Sequence, residues 1–221
     1  MVIKEVILDA DGPIILSPAT DIGNFQIAAE MNQLQRPTSS FLKKIWGRDL
    51  EAEILPELRF RMLWSERQAE TVLKTYQRLS DEAVYPILSG LRKTLETLSC
   101  SCSLGLISGR DLDSLERRMV EAGLNLKIFR HVELMEKKIC HKPDPQVLTG
   151  FWRDGFDPIH TVYVGDSVDY DYRVAIANEP RLPFIAVRTG LSDFSDFCLA
   201  GIELKHILKK TTELPSVIGR L

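Results

Sequence analysis

The chain has 221 residues, of which 44% are hydrophobic, which is enough for one good core or for a core with a small appended unit. The formal net charge of −3 gives no electrostatic reason to expect nucleic acid or an acidic membrane as a partner. No apolar run approaches the roughly 20 residues of a spanning helix, no secretory signal is visible, and the four cysteines lack zinc-site spacing. We therefore expect a cytoplasmic protein, monomer or homodimer, with reduced thiols and a small-molecule partner.

The first predicted element is a buried strand. The run Val2–Leu8 is rich in β-branched residues and breaks at the sequence Asp9–Pro13. A buried parallel strand that ends in a polar loop has this pattern.

Residues 16–82 contain no convincing strand. Helical patterns follow one another there, interrupted by Pro18, Pro37, Gly47 and Pro56. Their apolar stripes are typical of the core of a small helix bundle. The segment is therefore predicted to be an all-helical insertion.

Strands and helices alternate from residue 83 onwards. The pattern of a strand followed by a polar loop recurs at Ser103–Ser108, Arg130–Leu134, Thr161–Val164 and Pro183–Val187. Leucines at helical spacing fall between most of these segments. The alternation predicts an α/β protein with a Rossmann-like, doubly wound parallel sheet. Its core domain would comprise residues 1–15 and 83–221, with residues 16–82 as the inserted domain.

Polar residues stand where these strands end, and ligands bind beyond the carboxyl ends of parallel strands. In chain order they are Asp9 and Asp11, then Ser108, then Lys142 in a Lys-Pro turn, then Asp166 after a glycine. In this order and over nearly the whole chain, the set resembles the four motifs of the haloacid dehalogenase superfamily. The helical insertion after the first motif is similar to the C1 cap of its phosphoglycolate phosphatase and β-phosphoglucomutase branch.

The resemblance implies a phosphatase that hydrolyses a small phosphomonoester through an aspartyl-phosphate. It makes Asp9 the nucleophile and Asp11 the general acid and base. Ser108 would hold phosphoryl oxygens near a helix N-terminus, and Lys142 would neutralise the charge of nucleophile and phosphate.

A divalent cation is expected because a phosphate dianion and a carboxylate repel one another. The resemblance implies Mg²⁺, bound by Asp9, Asp166 and the backbone carbonyl of Asp11. A further acidic residue belongs four or five positions after Asp166 in this family, and we choose Asp171 with Asp169 as the reserve.

Three other residues are candidates for substrate binding. Gly109 and Arg110 follow Ser108, and Arg110 would either reach a substrate anion or lie solvated at the start of a helix. Arg48, in the turn after Gly47, is the candidate for substrate specificity in the cap.

Three departures from the family pattern leave the substrate open. Pro13 stands where Thr is usual, and Leu16 stands where the phosphoglycolate branch often has Asp. Ser108 is followed by Gly109 and Arg110, where Asn is common. A mutase of the β-phosphoglucomutase kind and a non-catalytic binding or assembly subunit remain as alternatives. A true haloacid dehalogenase is disfavoured, because it would lack Asp11.

Overall fold

The structure is a computed structural model that describes residues 2–48, 50–135 and 140–220. The chain divides into two compact units, which we call the core unit (Met1–Leu16 and Tyr85–Leu221) and the helical unit (Ser17–Val84). The predicted insertion, 16–82, differs from the helical unit by one residue at its start and two at its end. Among the described residues, no helix has the length and apolar composition needed to cross a membrane.

A six-stranded parallel sheet forms the centre of the core unit, in the order β3-β2-β1-β4-β5-β6. Its strands are β1 (Glu5–Asp9), β2 (Ser103–Ser108), β3 (His131–Leu134), β4 (Thr161–Gly165), β5 (Phe184–Val187) and β6 (Ile207–Leu208). Strand β1 lies in the middle, with Leu8 opposite Leu106 of β2 and Val164 of β4. All five residues of β1 and all five of β4 are buried, which explains their near-continuous apolar runs. The predicted fold class is confirmed.

The helical unit contains four α-helices among its described residues. They are α1 (Ser17–Met31), α2 (Ser39–Ile45), α3 (Leu55–Met62), which follows a π-helical turn at Leu50–Ile54, and α4 (Glu66–Glu82). Helix α4 begins with a capping box, in which the Ser65 side chain accepts from the Gln68 backbone and the Gln68 side chain accepts from the Ser65 backbone. Phe25 packs edge-on against Trp46 and stacks with Trp64 in the unit's own apolar core.

The core unit supplies the remaining helices of the described chain. They are α5 (Leu91–Ser99), α6 (Leu112–Glu121), α7 (Thr149–Arg153), α8 (Arg173–Ala177), which follows a π-helical turn at Val168–Tyr172, α9 (Phe194–Leu199) and α10 (Leu214–Ile218). Short 3-10 turns lie at Leu126–Ile128, Pro145–Leu148, Pro158–His160, Leu204–His206 and Thr211–Glu213. Helix α6 starts immediately after Asp111, whose side chain accepts from the backbone N–H of Ser114 at 2.7 Å. This cap fixes the turn between β2 and α6.

Candidate active site

Polar side chains follow the carboxyl ends of three adjacent strands. Strand β1 ends at Asp9, β2 ends at Ser108, and Asp166 directly follows β4. Because these strands are neighbours in the sheet, their carboxyl ends meet at one edge. The fold thereby brings together residues that are far apart in the sequence.

Three buried carboxylates lie together at this edge. Oxygen atoms of Asp9, Asp166 and Asp171 lie within 4.8 Å of one another, and the three residues are 8%, 3% and 1% exposed. Like charges at this separation repel strongly when buried, and a cation bound between them would relieve the repulsion. All three supply the hard oxygen atoms that Mg²⁺ and Ca²⁺ prefer. The donor set therefore fits a hard divalent cation.

Lys142 adds a buried ammonium group to the cluster. Its Nζ lies 2.6 Å from Oδ1 of Asp9 and 2.6 Å from Oδ1 of Asp171, and its side chain is only 8% exposed. Burial alone would lower the pKa of Lys142, but the carboxylates of Asp171 and Asp9 outweigh it and hold that pKa well above its usual value. The lysine is therefore a fixed positive charge in the site.

Asp171 is held by more donors than Lys142 alone. The hydroxyl of Tyr163 donates to Oδ1 at 3.0 Å, and the backbone N–H groups of Asp166 and Ser167 donate to Oδ2 at 3.0 and 3.1 Å. Asp169, the reserve candidate, instead forms an exposed ion pair with Arg173 at 2.8 Å. The structure thus brings Asp171 into the cluster and leaves Asp169 at the surface.

The crowding of carboxylates changes the pKa of two of them. Burial, followed by the repulsion from Asp171 and Asp11, raises the pKa of Asp9 to about 8 despite the attraction of Lys142. Burial, with the charges of Asp171 and Asp9, also raises the pKa of Asp166 well above its usual value. Without a cation, burial and mutual repulsion therefore favour the protonated forms of Asp9 and Asp166.

A loop that the sequence reasoning missed holds Asp166. The backbone N–H of Leu191 donates to Oδ2 of Asp166 at 2.6 Å. A Cβ on Gly190 would lie 1.5 Å from that oxygen, and a Cβ on Gly12 would lie 2.6 Å from Cγ of the same side chain. Two glycines are therefore required for backbone to approach this carboxylate. The sequence signal for this loop is its place after the predicted strand Pro183–Val187, and that signal does not mark Leu191 as the donor.

Two threonine hydroxyls bond to the loop that follows β1 and contains Gly12 and Pro13. Pro13 stands there in place of the Thr that is usual in the family. The hydroxyl of Thr189 donates to the backbone carbonyl of Gly12 at 2.8 Å, and that of Thr211 donates to the carbonyl of Pro13. Hydroxyl groups from two other segments of the chain thus donate hydrogen bonds to this loop.

Asp11 and Arg110 are paired with each other. The guanidinium group of Arg110 approaches both carboxylate oxygens of Asp11, and the side chains are 20% and 27% exposed, respectively. Arg110 is therefore not solvated at the start of α6, and its head group lies on Asp11. The predicted role of Asp11 as a metal ligand concerned its backbone carbonyl, and its side chain is engaged by the arginine.

The remaining predicted residues lie in different places. Ser108 is fully buried, and its Oγ accepts from the backbone N–H of Arg110 at 3.1 Å. Gly109 is exposed in the same turn. Arg48 is an exposed residue of the helical unit, beyond the end of α2. Its role in specificity stays a prediction.

The sequence and the fold both have recognisable relatives. Residues 6–185 match the family model described as haloacid dehalogenase-like hydrolase. No curated protein matches the chain in sequence.

Solved structures share the fold over nearly the whole chain. A haloacid dehalogenase-like protein of unknown function from Agrobacterium tumefaciens has a TM-score of 0.78 at 18% identity, with 99% of this chain and 98% of that chain covered. A proposed β-phosphoglucomutase from Thermotoga maritima has a TM-score of 0.72 at 23% identity, with 99% and 100% covered. A phosphoglycolate phosphatase, so named by prediction, from Haemophilus somnus has a TM-score of 0.73 at 14% identity, with 97% of each chain covered. At such identities the likeness establishes the fold alone.

Proposed function

Because the chain belongs to the haloacid dehalogenase-like hydrolase family, we propose that it is a magnesium-dependent phosphatase acting on a small phosphomonoester. The observation that carries the proposal is the buried cluster of Asp9, Asp166 and Asp171 with Lys142 in contact with two of its members. Such a cluster is unfavourable for stability alone, so its chemistry is the better explanation for it.

Asp9 is the proposed nucleophile. One of its carboxylate oxygens attacks phosphorus, the bond from phosphorus to the leaving oxygen breaks, and an aspartyl-phosphate forms on Asp9. Lys142 offsets the negative charge that builds up between nucleophile and phosphate. Mg²⁺ held by Asp9, Asp166 and the backbone carbonyl of Asp11 would supply the further positive charge that this approach requires. Asp171, whose oxygens accept from four donors, would lie in the outer shell of the ion and hold Lys142.

Asp11 is the proposed proton carrier. In the first half-reaction its carboxyl group gives a proton to the leaving alkoxide. In the second, the resulting carboxylate takes a proton from water, which attacks the aspartyl-phosphate. Inorganic phosphate leaves, Asp9 regains its carboxylate, and Asp11 regains its proton.

The test is phosphate release from a panel of sugar phosphates, phosphoglycolate, nucleotides and pyrophosphate, with Mg²⁺ or with EDTA. Asp9→Asn preserves the shape of the side chain but removes the anionic nucleophile, so its turnover should fall to background while its circular dichroism is unchanged. Asp113→Asn, an exposed position on α6, is the matched control and should keep full activity.

Two outcomes would contradict the proposal. Substantial activity in Asp9→Asn would exclude the covalent route, and equal activity in EDTA would exclude the metal. Phosphoryl exchange between sugar phosphates without release of phosphate would instead establish the mutase alternative.

A further inference from the structure

Arg110 makes a multi-point ion pair with Asp11 inside the site. Nη2 lies 2.8 Å from Oδ1, and Nε lies 2.9 Å from Oδ1 and 3.0 Å from Oδ2. The two residues are 99 positions apart and follow the adjacent strands β1 and β2. The contact is therefore made by the fold, and it fixes the side chain proposed to carry the proton.

We propose that Arg110 is the positioning residue for Asp11, and this inference rests on the function proposed above. A planar guanidinium edge restricts a carboxylate in direction as well as in distance. A carboxylate has about four lone-pair positions. The Asp11 side chain remains 27% exposed, so a leaving oxygen can still come within hydrogen-bonding distance of it. Arg110 thus acts on the reaction through Asp11.

Tyr85 restrains the arginine in turn. The Cζ atom of Arg110 lies 5.8 Å from the centre of the Tyr85 ring, which is within the range of a cation–π contact. The ring is almost completely buried, at 2% exposure. A buried aromatic face beside the guanidinium group limits the rotamers that Arg110 can adopt.

Arg118 contacts the same ring. Its Cζ lies 3.4 Å from the ring centre, the residue is 3% exposed, and its Nε and Nη1 atoms have no hydrogen-bond partner among the residues that the structure describes. Burying a guanidinium group with two unbonded nitrogen atoms is costly, so its retention needs a reason. The contact with Tyr85 provides one, since Arg118 holds the ring that lies beside Arg110.

The backbone of Arg110 serves the site as well. Its N–H donates to Oγ of Ser108 at 3.1 Å, so one residue is bonded to both the proposed proton carrier and a proposed phosphate ligand. Loss of the side chain leaves that backbone bond in place. A side-chain variant therefore removes the contacts with Asp11 and Tyr85 and keeps the backbone bond to Ser108.

The experiment compares Arg110→Ala with the parent protein on two aryl phosphates. Departure of phenol depends on proton donation by Asp11, whereas p-nitrophenol is a better leaving group and depends on it less. We expect kcat/KM for phenyl phosphate to fall on the order of ten- to hundred-fold, and that for p-nitrophenyl phosphate to fall several-fold less. The inhibition constant of inorganic phosphate, a probe of phosphoryl binding, should be nearly unchanged.

Three further measurements separate positioning from loss of structure. Arg110→Lys retains the charge without the planar edge and should lie between parent and alanine variant. Guanidinium ion at low concentration should raise the phenyl phosphate activity of Arg110→Ala but not that of the parent, with sodium chloride as the salt control. Arg117 is an exposed arginine of helix α6, and Arg117→Ala should match the parent in the ratio of kcat/KM for phenyl phosphate to kcat/KM for p-nitrophenyl phosphate.

If Arg110→Ala does not fold, Tyr85→Leu should show the same selective loss on phenyl phosphate, with Tyr85→Phe as its control.

An equal loss on both substrates would overturn the positioning role. So would a weakened affinity for inorganic phosphate with an unchanged ratio, which would make Arg110 a substrate-binding residue. Either result is distinguishable from failure of the proposed phosphatase, because that failure appears in Asp9→Asn and in EDTA, whatever Arg110 does.

Discussion

Asp171→Asn should destabilise the core unit. The two oxygens of Asp171 accept from four donors: the Lys142 ammonium, the Tyr163 hydroxyl, and the backbone N–H groups of Asp166 and Ser167. Asparagine has one acceptor oxygen and an NH2 group in place of the other. In either orientation the NH2 group faces donors, so at least one pair of donors loses its acceptor.

The size of the effect follows from burial. Asp171 is 1% exposed and the Lys142 side chain 8%, so water cannot replace the lost bonds. A buried donor left without its acceptor typically costs a protein about 1–3 kcal/mol. Two effects oppose a larger loss: Lys142 keeps Asp9 as a partner, and removing the Asp171 charge relieves its repulsion of Asp9 and Asp166. We therefore expect a net loss of about 1–3 kcal/mol in the free energy of unfolding.

The assay is urea unfolding in the presence of EDTA, with circular dichroism as the signal. The matched control is Asp169→Asn, because that carboxylate pairs with Arg173 at the surface, where the side chains of Asp169 and Arg173 are 68% and 58% exposed. Exposed pairs contribute about 1 kcal/mol or less. Asp169→Asn should therefore shift the midpoint only slightly.

The comparison would refute our reasoning if Asp169→Asn lost as much stability as Asp171→Asn, or more. In that case the acidic residue that matters would be the one we leave at the surface. Activity gives the same contrast, since only Asp171→Asn should raise the Mg²⁺ concentration needed for half-maximal activity.

Three other predictions concern the cluster and the specificity of the enzyme. Gly190→Ala would bring a Cβ 1.5 Å from Oδ2 of Asp166, so the Asp166 side chain must move. The Mg²⁺ concentration for half-maximal activity should therefore rise about ten-fold or more. An unchanged concentration would mean that the loop around Gly190 moves instead of Asp166. In EDTA, the raised pKa of Asp9 means that the folded protein holds a proton which the unfolded chain releases. This contribution to stability is complete below the ordinary aspartate pKa of 3.8 and is lost as pH rises towards about 8, so urea midpoints should fall over that window. Asp9→Asn should reduce the slope, and the raised pKa of Asp166 accounts for the slope that remains. Arg48→Ala should lower kcat/KM for the true substrate about ten-fold, or about 1.4 kcal/mol, and leave p-nitrophenyl phosphate nearly unchanged; equal losses on both would move the search for specificity to the core unit.

The sequence by itself determined the class of fold and most of the strands. Strand β2 was predicted with its observed bounds, because a strand buried on both faces is a continuous apolar run that ends at a polar loop. Strand β6 was missed, since two residues are too few to form a readable pattern. The motif residues that end strands, such as Asp9 and Ser108, could be found for the same reason.

Tertiary structure alone decided which polar groups meet. Asp169 and Asp171 are two positions apart on one π-helical turn, yet one is exposed and the other is buried against Lys142. The partner of Arg110 lies 99 positions away, and the donor to Asp166 is a backbone N–H at Leu191, which has no residue-specific signal. A sequence pattern records the local alternation of polar and apolar residues, because local burial depends on it. The pairing of charges depends on the directions of side chains across neighbouring strands and loops, and only the folded chain brings those directions together.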